Sequence, residues 1–329
     1  MTADGLAAIV GLVILTAVSW DLFVTVLSPT SGAGVLARRS GQFLWRLGTL
    51  GNAPAEARRL RVLGPGILLA TVLTWVVLPV VGWWLVALSA DGLEVTAYGR
   101  PATAGERLYF VLTTVSTLGP GDVLPVTAWG RVLTAAMAVT GLSLFTLAVT
   151  YVLPVVTAVT QRRVQATAIS ALGLSVPQVV SSLEGAGGDA DRLLDEVGSA
   201  VRLLAQQHLA YPILHYFHST DRRAAFAPSV ATLDEAVTRL AGRSPDPPRL
   251  AMTRFRAAVD DLLVITAHHT QPHVLELPQP DDDGLDDVLP CRHGHAEHRH
   301  RLAAFVHDDA WDWQRDVLGI EDPPSGKPG

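Results

Sequence analysis

The sequence predicts an all-α membrane protein with three transmembrane helices and a helical, water-soluble C-terminal half. Composition is the first observation behind this prediction. Apolar residues make up 49% of the 329 residues and charged residues only 17%, against roughly 25% charged residues in soluble domains. The charges are unevenly distributed, because residues 1–160 carry 16 of them and the remaining 169 residues carry 40. The first half therefore has the composition of a membrane domain.

Long apolar segments are the second observation. A helix needs about 20 predominantly apolar residues to cross a bilayer, and three segments reach this length, at 5–27, 66–90 and 126–159. Trp83 and Trp84, near the end of the second segment, suit a membrane interface. Gly64 is expected to end a separate helix that precedes this segment.

The placement of arginine predicts the orientation in the membrane. Residues 38–61 contain six arginines and one glutamate, mixed with Trp and Leu as in a helix that lies on the membrane surface. Arg162 and Arg163 follow the third apolar segment. Because Lys and Arg concentrate on the cytoplasmic side, we expect a multi-pass protein of the cell membrane. Its N-terminus and its 91–125 loop are expected outside, and its C-terminal half in the cytoplasm.

Charge and cysteine content exclude several classes of function. The formal net charge of −6 divides into about +2 for residues 1–160 and −8 for the rest, so nucleic-acid binding has no electrostatic support. The single cysteine, Cys291, excludes an internal disulfide framework. The apolar segments contain no Ser-His-Asp or metal-hydrolase pattern, and we do not expect an enzyme.

The stretch TTVSTLGPGDV, residues 113–123, breaks the backbone between the second and third apolar segments. The helix-like apolar piece at 105–117 has about a dozen residues, which is too few to cross a bilayer. It is therefore expected to enter the membrane and return, as a re-entrant pore helix. Irregular backbone at membrane depth is tolerated only where it is buried in protein or lines a water-filled cavity. A Gly-Pro-Gly-Asp string alone is usually a turn, but its position between two spans favours a pore.

Gly119 and Gly121 can place a row of carbonyl groups along such a cavity. A strand that alternates between right-handed and left-handed backbone turns successive carbonyls to one side. Left-handed positions cost residues with a Cβ roughly 1–2 kcal/mol, so glycine is needed at every second position. Carbonyl groups that face a pore can replace the water around a cation. Thr117 adds a hydroxyl at the inner end, and the negative end of the short helix also favours a cation.

At these residues the chain resembles the potassium-channel superfamily, whose filter reads Thr-Val-Gly-Tyr-Gly-Asp. The resemblance covers residues 66–159 and implies a homotetramer, with the 126–159 helix lining the pore and K⁺ as the transported ion. The residues to which it assigns roles are Thr117, Leu118, Gly119, Pro120 and Gly121 in the ion-selectivity filter, Asp122 at the outer mouth, Tyr109 and Phe110 as filter support, and Gly141 and Pro154 as gating hinge.

Pro120 departs from the family pattern. The family has Tyr or Phe at this position, and the ring braces the filter against the pore helix. Proline keeps the carbonyl and accepts a right-handed φ, but it supplies neither a ring nor an N–H. The sequence therefore predicts cation conduction, with weaker discrimination between K⁺ and Na⁺ than is usual in the family.

The chain is expected to divide into three parts. Amphipathic stretches at 230–240 and 250–268 predict helices in the last part, and the absence of an alternating strand pattern disfavours a nucleotide-binding regulator of the βαβ type. The parts are 1–64, the first transmembrane helix and a cytoplasmic interfacial segment; 65–160, the pore domain with its loop at 105–125; and 161–329, a helical cytoplasmic domain with an acidic linker at 276–290.

A histidine-rich segment near the C-terminus contains candidate metal ligands. Thiolate and imidazole groups suit Zn²⁺, but neighbouring arginines oppose a cation and the spacing matches no standard zinc finger. The alternative is a solvated helix start that responds to pH near 6.5. His215 and His218 are expected to be packing residues. The candidate metal ligands are Cys291, His293, His295, His298 and His300.

Asp21 is an ionisable residue within the first apolar segment, about two turns from its inner end. An ionisable residue within a membrane helix suggests a functional site by default. The preferred structural explanation is an ion pair with a nearby arginine, such as Arg38 or Arg58.

Together, these patterns predict a cation channel subunit, with K⁺ as the expected ion and no cofactor. Its expected partners are the lipid bilayer, further copies of itself in a homotetramer, and a soluble partner or ligand of the cytoplasmic domain. The rival hypothesis is a non-conducting membrane sensor or scaffold, which keeps a degenerate pore loop and binds a partner through its tail.

Overall fold

The computed structural model describes residues 3–27, 34–43 except 37 and 42, 56–243, 249–267, 289, 291–292 and 294–320. The chain divides into two compact units. The first comprises Met1–Leu47 and Pro65–Val155, and the second comprises Gly48–Gly64 and Val156–Gly329. The predicted acidic linker at 276–290 lies almost entirely outside the described residues.

Three helices in the described part of the chain are long and apolar enough to cross a membrane. A fourth, short helix lies between the second and the third of them. The prediction of a helical membrane protein with three transmembrane helices is confirmed. The four helices are α1 (Ala3–Leu27), α2 (Glu56–Ser89), α3 (Ala104–Val115) and α4 (Ala128–Ser170).

Two helices extend beyond their predicted limits. The predicted helix end at Gly64 is wrong, because α2 continues through Gly64 and Pro65 into the apolar segment. Propensity is a weak constraint where a long apolar helix follows. α4 continues well past residue 159, and its last part buries Ala166 and Ile169 in the core of the second unit.

A small antiparallel sheet, which the sequence analysis does not predict, flanks α3. β1 (Leu93–Val95) lies between β2 (Arg100–Pro101) and β3 (Val123–Pro125). Val95 pairs with Val123, so the sheet holds the chain directly after the TLGPGD sequence. The strands have only two or three residues, too few for an alternating pattern to be recognised.

An apolar cluster fixes α3 within the first unit. Phe110 and Val111 of α3 are buried together with Trp83 of α2, Met137 of α4 and Val123 of β3. The short helix is thus packed against both long helices that flank it in sequence.

The second unit is a helical domain. Its core combines buried residues of its helices, among them Val201, Phe255 and Leu262, with the end of α4. The helices predicted at 230–240 and 250–268 correspond to two of its members. The helices are α5 (Val176–Ala186), α6 (Asp189–Ala210), α7 (Phe226–Arg243), α8 (Leu250–Thr266) and α9 (His295–Asp308).

Candidate functional site

α3 begins at a complete capping box. The hydroxyl of Thr103 accepts a hydrogen bond from the N–H of Glu106, and the Glu106 carboxylate accepts one from the N–H of Thr103. Arg100 donates two further hydrogen bonds to this carboxylate, at 2.7 and 2.9 Å. Local interactions therefore determine where the short helix starts.

Arg107 ties α3 to the end of α2. Its guanidinium donates hydrogen bonds to the carbonyl oxygens of Ala87 and Ala90, at a helix end where carbonyls lack partners within the helix. Trp84 of α2 donates from its indole nitrogen to the carbonyl of Ala104 at 3.0 Å. These contacts place the start of α3 against α2. The sequence carries no signal for this role of Arg107, because its partners are backbone groups of another helix.

Residues 116–122, called the glycine loop below, are anchored to α3 at their start. The N–H groups of Leu118 and Gly119 donate to the carbonyl of Thr113 at 2.8 and 3.1 Å. The N–H of Thr117 donates to the carbonyl of Thr114 at 3.0 Å. The carbonyls at the end of α3 are satisfied by the loop that follows them.

The backbone of the glycine loop alternates in handedness. φ is +61° at Thr117, +52° at Gly119 and +84° at Gly121, whereas Leu118 and Pro120 are not among the residues with positive φ. The prediction that both glycines occupy the left-handed region is confirmed. The sequence analysis does not predict the same conformation for Thr117, where it costs about 1–2 kcal/mol.

Four successive carbonyls in the glycine loop, those of residues 117–120, accept no hydrogen bond from the residues that the structure describes. The carbonyl of Gly121 accepts one from the Thr96 hydroxyl at 2.9 Å, and the carbonyl of Asp122 accepts one from the Thr96 N–H at 2.9 Å. Residues 116–120 are all exposed in the single chain. The loop thus presents a row of unpaired acceptors, and the residues directly after this row are fixed to the sheet.

Tyr109 and Phe110, the predicted filter supports, both contact structure at the end of the glycine loop. The Tyr109 hydroxyl donates a hydrogen bond to the Asp122 carboxylate at 2.9 Å. Phe110 is buried in the cluster that contains Val123. Both side chains connect α3 to the C-terminal end of the loop.

A cavity of about 320 Å³ lies beside the glycine loop. Its walls include Tyr109 and Phe110 of α3, Pro120 of the loop, and Thr134 and Ala138 of α4. A cavity of about 150 Å³ is enough to bind benzene. The space next to Pro120 can therefore accept an aromatic ring of the kind that the potassium-channel pattern has at this position.

Gly141 is a point of close approach between α4 and the end of α3. A Cβ at this position would collide with the carbonyl oxygen of Val115 and would lie 2.7 Å from its carbonyl carbon. Only glycine leaves room for this packing. Pro154 lies within α4, which continues beyond it.

Asp21 lies in a buried polar contact between helices of the first unit. One carboxylate oxygen accepts a hydrogen bond from the N–H of Leu36 at 2.7 Å, and the other accepts one from the indole of Trp75 at 3.1 Å. The Trp75 ring in turn packs edge-on against Tyr151 of α4, with ring centroids 5.2 Å apart. Asp21 thus connects α1 to α2. Of its two predicted partners, Arg38 is exposed, and the side chain of Arg58 lies outside the described residues.

Part of the histidine-rich segment forms the start of α9, and two of its histidines are buried. The interpretation as a solvated helix start is wrong for His295 and His298, which are 5% and 2% exposed. They are buried because this end of α9 packs against α7 and α8. His300 is exposed, and His293 lies outside the described residues. Among the described candidates, Cys291 and His298 come together with Asp260, near enough to share a cation.

His298 is enclosed by carboxylates and a guanidinium. Its Nδ1 lies 2.6 Å from Asp260 and its Nε2 lies 3.0 Å from Asp234, which also pairs with the fully buried Arg256 at 3.3 Å. Burial lowers the pKa of His298, but Asp234 and Asp260 outweigh this effect and raise it. Burial raises the pKa of the Cys291 thiol to about 11, although Arg256 opposes that shift. These contacts form an ion-pair network.

His215 and His218 lie in the second unit beside aromatic residues. The His218 Nδ1 is 2.8 Å from an Asp309 carboxylate oxygen, and both side chains are buried. The His215 ring contacts those of Tyr216 and His218 edge-on. This agrees with the expectation that they are packing residues.

Comparisons with known proteins match the part of the chain that contains the glycine loop to a known family. Residues 69–158 match a protein family described as "Ion channel". The membrane protein YdjJ of Bacillus subtilis (strain 168), itself described as uncharacterized, is 33% identical over 281 residues, which cover 84% of this chain and 82% of YdjJ. No solved structure matches the chain. The family match contains α3, the glycine loop, Gly141 and Pro154.

Proposed function

Because the chain belongs to the pore-loop cation channel superfamily, we propose that it conducts potassium ions through a pore built from four copies of the glycine loop. The observation that carries this proposal is the row of carbonyls at residues 117–120. These carbonyls have no partner in the described chain, and they follow a backbone that alternates in handedness. Carbonyl oxygens in such a row substitute for the hydration shell of a cation.

The contacts of the loop suggest a role for each end of the row. The carbonyls of Thr117, Leu118, Gly119 and Pro120 coordinate the ion. The carbonyl of Gly121 is engaged by Thr96 and anchors the outer end of the filter to the sheet.

Asp122 forms the outer mouth of the proposed pore. It is exposed in the single chain, and Tyr109 holds its carboxylate from α3. Four copies of this carboxylate around one axis raise the local concentration of cations.

Exposed groups in the single chain support a tetramer. Leu118 is 72% exposed, and Val139, Leu142 and Phe145 of α4 are 61–70% exposed. Apolar side chains of this size require lipid or protein neighbours in a membrane. A ring of carbonyls requires several loops, and the potassium-channel pattern implies four. In this assembly α4 lines the pore, with Gly141 and Pro154 as candidate hinge positions.

The arginine distribution supports an orientation with the N-terminus and the sheet outside. The second unit then lies in the cytoplasm, where it can bind a soluble partner or ligand. A non-conducting sensor or scaffold is the second candidate function. The feature that favours it is Pro120, which leaves the cavity beside α3 without the bracing ring of the family.

The decisive experiment is ion flux through purified protein in liposomes. Gly119→Ala and Gly121→Ala should each abolish K⁺ flux, because a Cβ penalises the left-handed backbone by about 1–2 kcal/mol and disturbs the carbonyl row. Gly99→Ala is the matched control. Its φ is +58° and an added Cβ would meet nothing within 4 Å, as at both loop glycines, but it lies before α3, outside the glycine loop.

The outcomes separate the two candidate functions. Flux in the wild type and in Gly99→Ala, but not in the loop variants, supports the channel with this filter. Wild-type flux from Gly119→Ala and Gly121→Ala refutes the assignment of the filter. A folded wild type without flux of any cation favours the scaffold.

A further inference from the structure

A second cavity, of about 260 Å³, lies in the C-terminal unit beside residues 159–163 of α4. It forms where α4 leaves its uncharged part, since no Asp, Glu, Lys or Arg occurs between Arg131 and Arg162. Arg162 and Arg163 both line it, together with the segment between α6 and α7 and with Asp309 at the end of α9. The channel function proposed above uses none of these residues.

Arg162 is a buried cation that no described carboxylate contacts directly. Arg162 is only 8% exposed. Its Nη1 donates a hydrogen bond to the carbonyl of Leu214 at 2.7 Å, and its guanidinium carbon lies 5.6 Å from the centroid of the Phe226 ring. No carboxylate among the described residues approaches it within 4.0 Å. A guanidinium has five N–H donors, and buried charges are as a rule paired with an opposite charge. The arrangement therefore leaves room for an anion.

The acidic groups on the cavity wall are already engaged. Asp309 pairs with His218 at 2.8 Å. Asp221 accepts a hydrogen bond from the N–H of Arg223 at 3.1 Å, and it is exposed, so that water screens its charge. Asp309 is near enough to interact electrostatically with Arg162, but neither carboxylate contacts its guanidinium directly.

Arg163 supplies a second guanidinium that remains available. It is exposed, and it forms no ion pair or hydrogen bond with the part of the chain that the structure describes. Thr220 adds a hydroxyl to the same wall. We propose that this cavity binds a phosphate monoester group, whose oxygens can accept charge-assisted hydrogen bonds from Arg162 and Arg163 and a further bond from Thr220.

Because the cavity lies against α4, a phosphate ligand bound there is expected to affect ion conduction. A ligand held by Arg162 and Arg163 contacts the helix that lines the proposed pore, so its binding alters K⁺ flux. This consequence rests on the proposed function, whereas binding itself does not. The phosphate group can belong to a soluble molecule or to a lipid headgroup, and the experiment below distinguishes these sources.

The test measures ligand-dependent stabilisation of the full chain in maltoside detergent, which contains no phosphate. One arm titrates inorganic phosphate, and the other adds phosphatidic acid to the micelles. A ligand that binds only the folded state raises the unfolding midpoint with concentration. Arg163→Gln should require at least about tenfold more ligand for the same rise, because it removes a charge-assisted hydrogen bond. Arg192→Gln is the charge-matched control, because Arg192 of α6 is also exposed and lies outside the cavity.

Each result decides the proposal. A saturable rise that Arg163→Gln weakens and Arg192→Gln preserves supports the site. Such a rise with phosphate alone assigns a soluble ligand, and one with phosphatidic acid alone assigns a lipid headgroup. A rise in both arms supports a phosphate site that accepts either source. Equal behaviour of Arg163→Gln and wild type, or no saturable rise in either arm, overturns the site. If the protein binds phosphate but conducts no ions, the proposed channel function is refuted and the phosphate site is supported. If it conducts ions but binds no phosphate, the phosphate site is refuted and the channel function is supported.

Discussion

Gly141→Ala tests whether Gly141 serves close packing or flexibility in α4. In the structure, the added Cβ would collide with the Val115 carbonyl oxygen and lie 2.7 and 2.9 Å from the carbonyl carbon and Cα of the same residue. All three are backbone atoms at the end of α3, so no side-chain rotation can relieve the contact. α3 and α4 have to separate locally to admit the methyl group.

The two roles predict opposite changes in the free energy of unfolding. Overpacking of this kind typically costs about 1–3 kcal/mol of folding free energy. We expect a cost near the upper end of this range, because all the contacts of the added Cβ are with backbone atoms, which cannot move aside as a side chain can. Replacing glycine by alanine within a helix recovers about 1 kcal/mol. We therefore expect a net loss of about 2 kcal/mol. A glycine that serves only as a hinge would instead give a gain of about 1 kcal/mol.

The assay is the thermal unfolding midpoint in detergent, with K⁺ flux in liposomes as the second measurement. About 2 kcal/mol corresponds to a decrease of roughly 4–8 °C in a domain of 150–250 residues. Flux should also decrease, because the end of α3 holds the start of the glycine loop through Thr113 and Thr114. Gly66→Ala in α2 is the control, since an added Cβ there meets nothing within 4 Å. A midpoint for Gly141→Ala at or above that of the wild type refutes the packing argument and favours the hinge.

Two further predictions concern the filter support and the buried histidine. Pro120→Tyr should increase K⁺ over Na⁺ discrimination in bi-ionic reversal potentials, because the cavity beside Tyr109 and Phe110 has room for a bracing ring; unchanged or lower discrimination contradicts this. The pKa of His298 is raised in the folded state, so the stability from its ion pairs is complete below pH about 6.5 and is lost as pH rises through the raised pKa. His298→Gln should remove this dependence from unfolding midpoints measured across that range, whereas the exposed His300→Gln should preserve it.

The features of the fold that were predictable depend on length and on local chemistry. A span of about 20 apolar residues identifies a membrane helix without further context. The helix predicted at 105–117 is observed at Ala104–Val115, because its apolar residues favour a helix and the glycines that follow stop it. The left-handed conformations of Gly119 and Gly121 followed from the lack of a Cβ.

The features that were missed depend on contacts between distant residues. Arg107 is an ordinary helix residue in the sequence, and its role appears only because the end of α2 lies beside it. His298 was grouped with its sequence neighbours, yet its partners are Asp234 and Asp260 on two other helices. The sheet around β1 has strands too short to recognise, and it depends on pairing between residues on both sides of α3.

Thr117 shows how these two kinds of information combine at the proposed filter. A β-branched residue with φ of +61° is disfavoured by about 1–2 kcal/mol, so local preference alone would put glycine there. The strain persists because neighbouring hydrogen bonds determine the backbone, with the N–H groups of Thr117 and Leu118 both bound to carbonyls at the end of α3. Strained residues of this kind concentrate where a conformation serves a function. In the proposed pore, this conformation extends the alternation by one more repeat, to a position two residues before Gly119, and turns one more carbonyl into the row. A threonine also places a hydroxyl at the inner entrance, which glycine cannot supply.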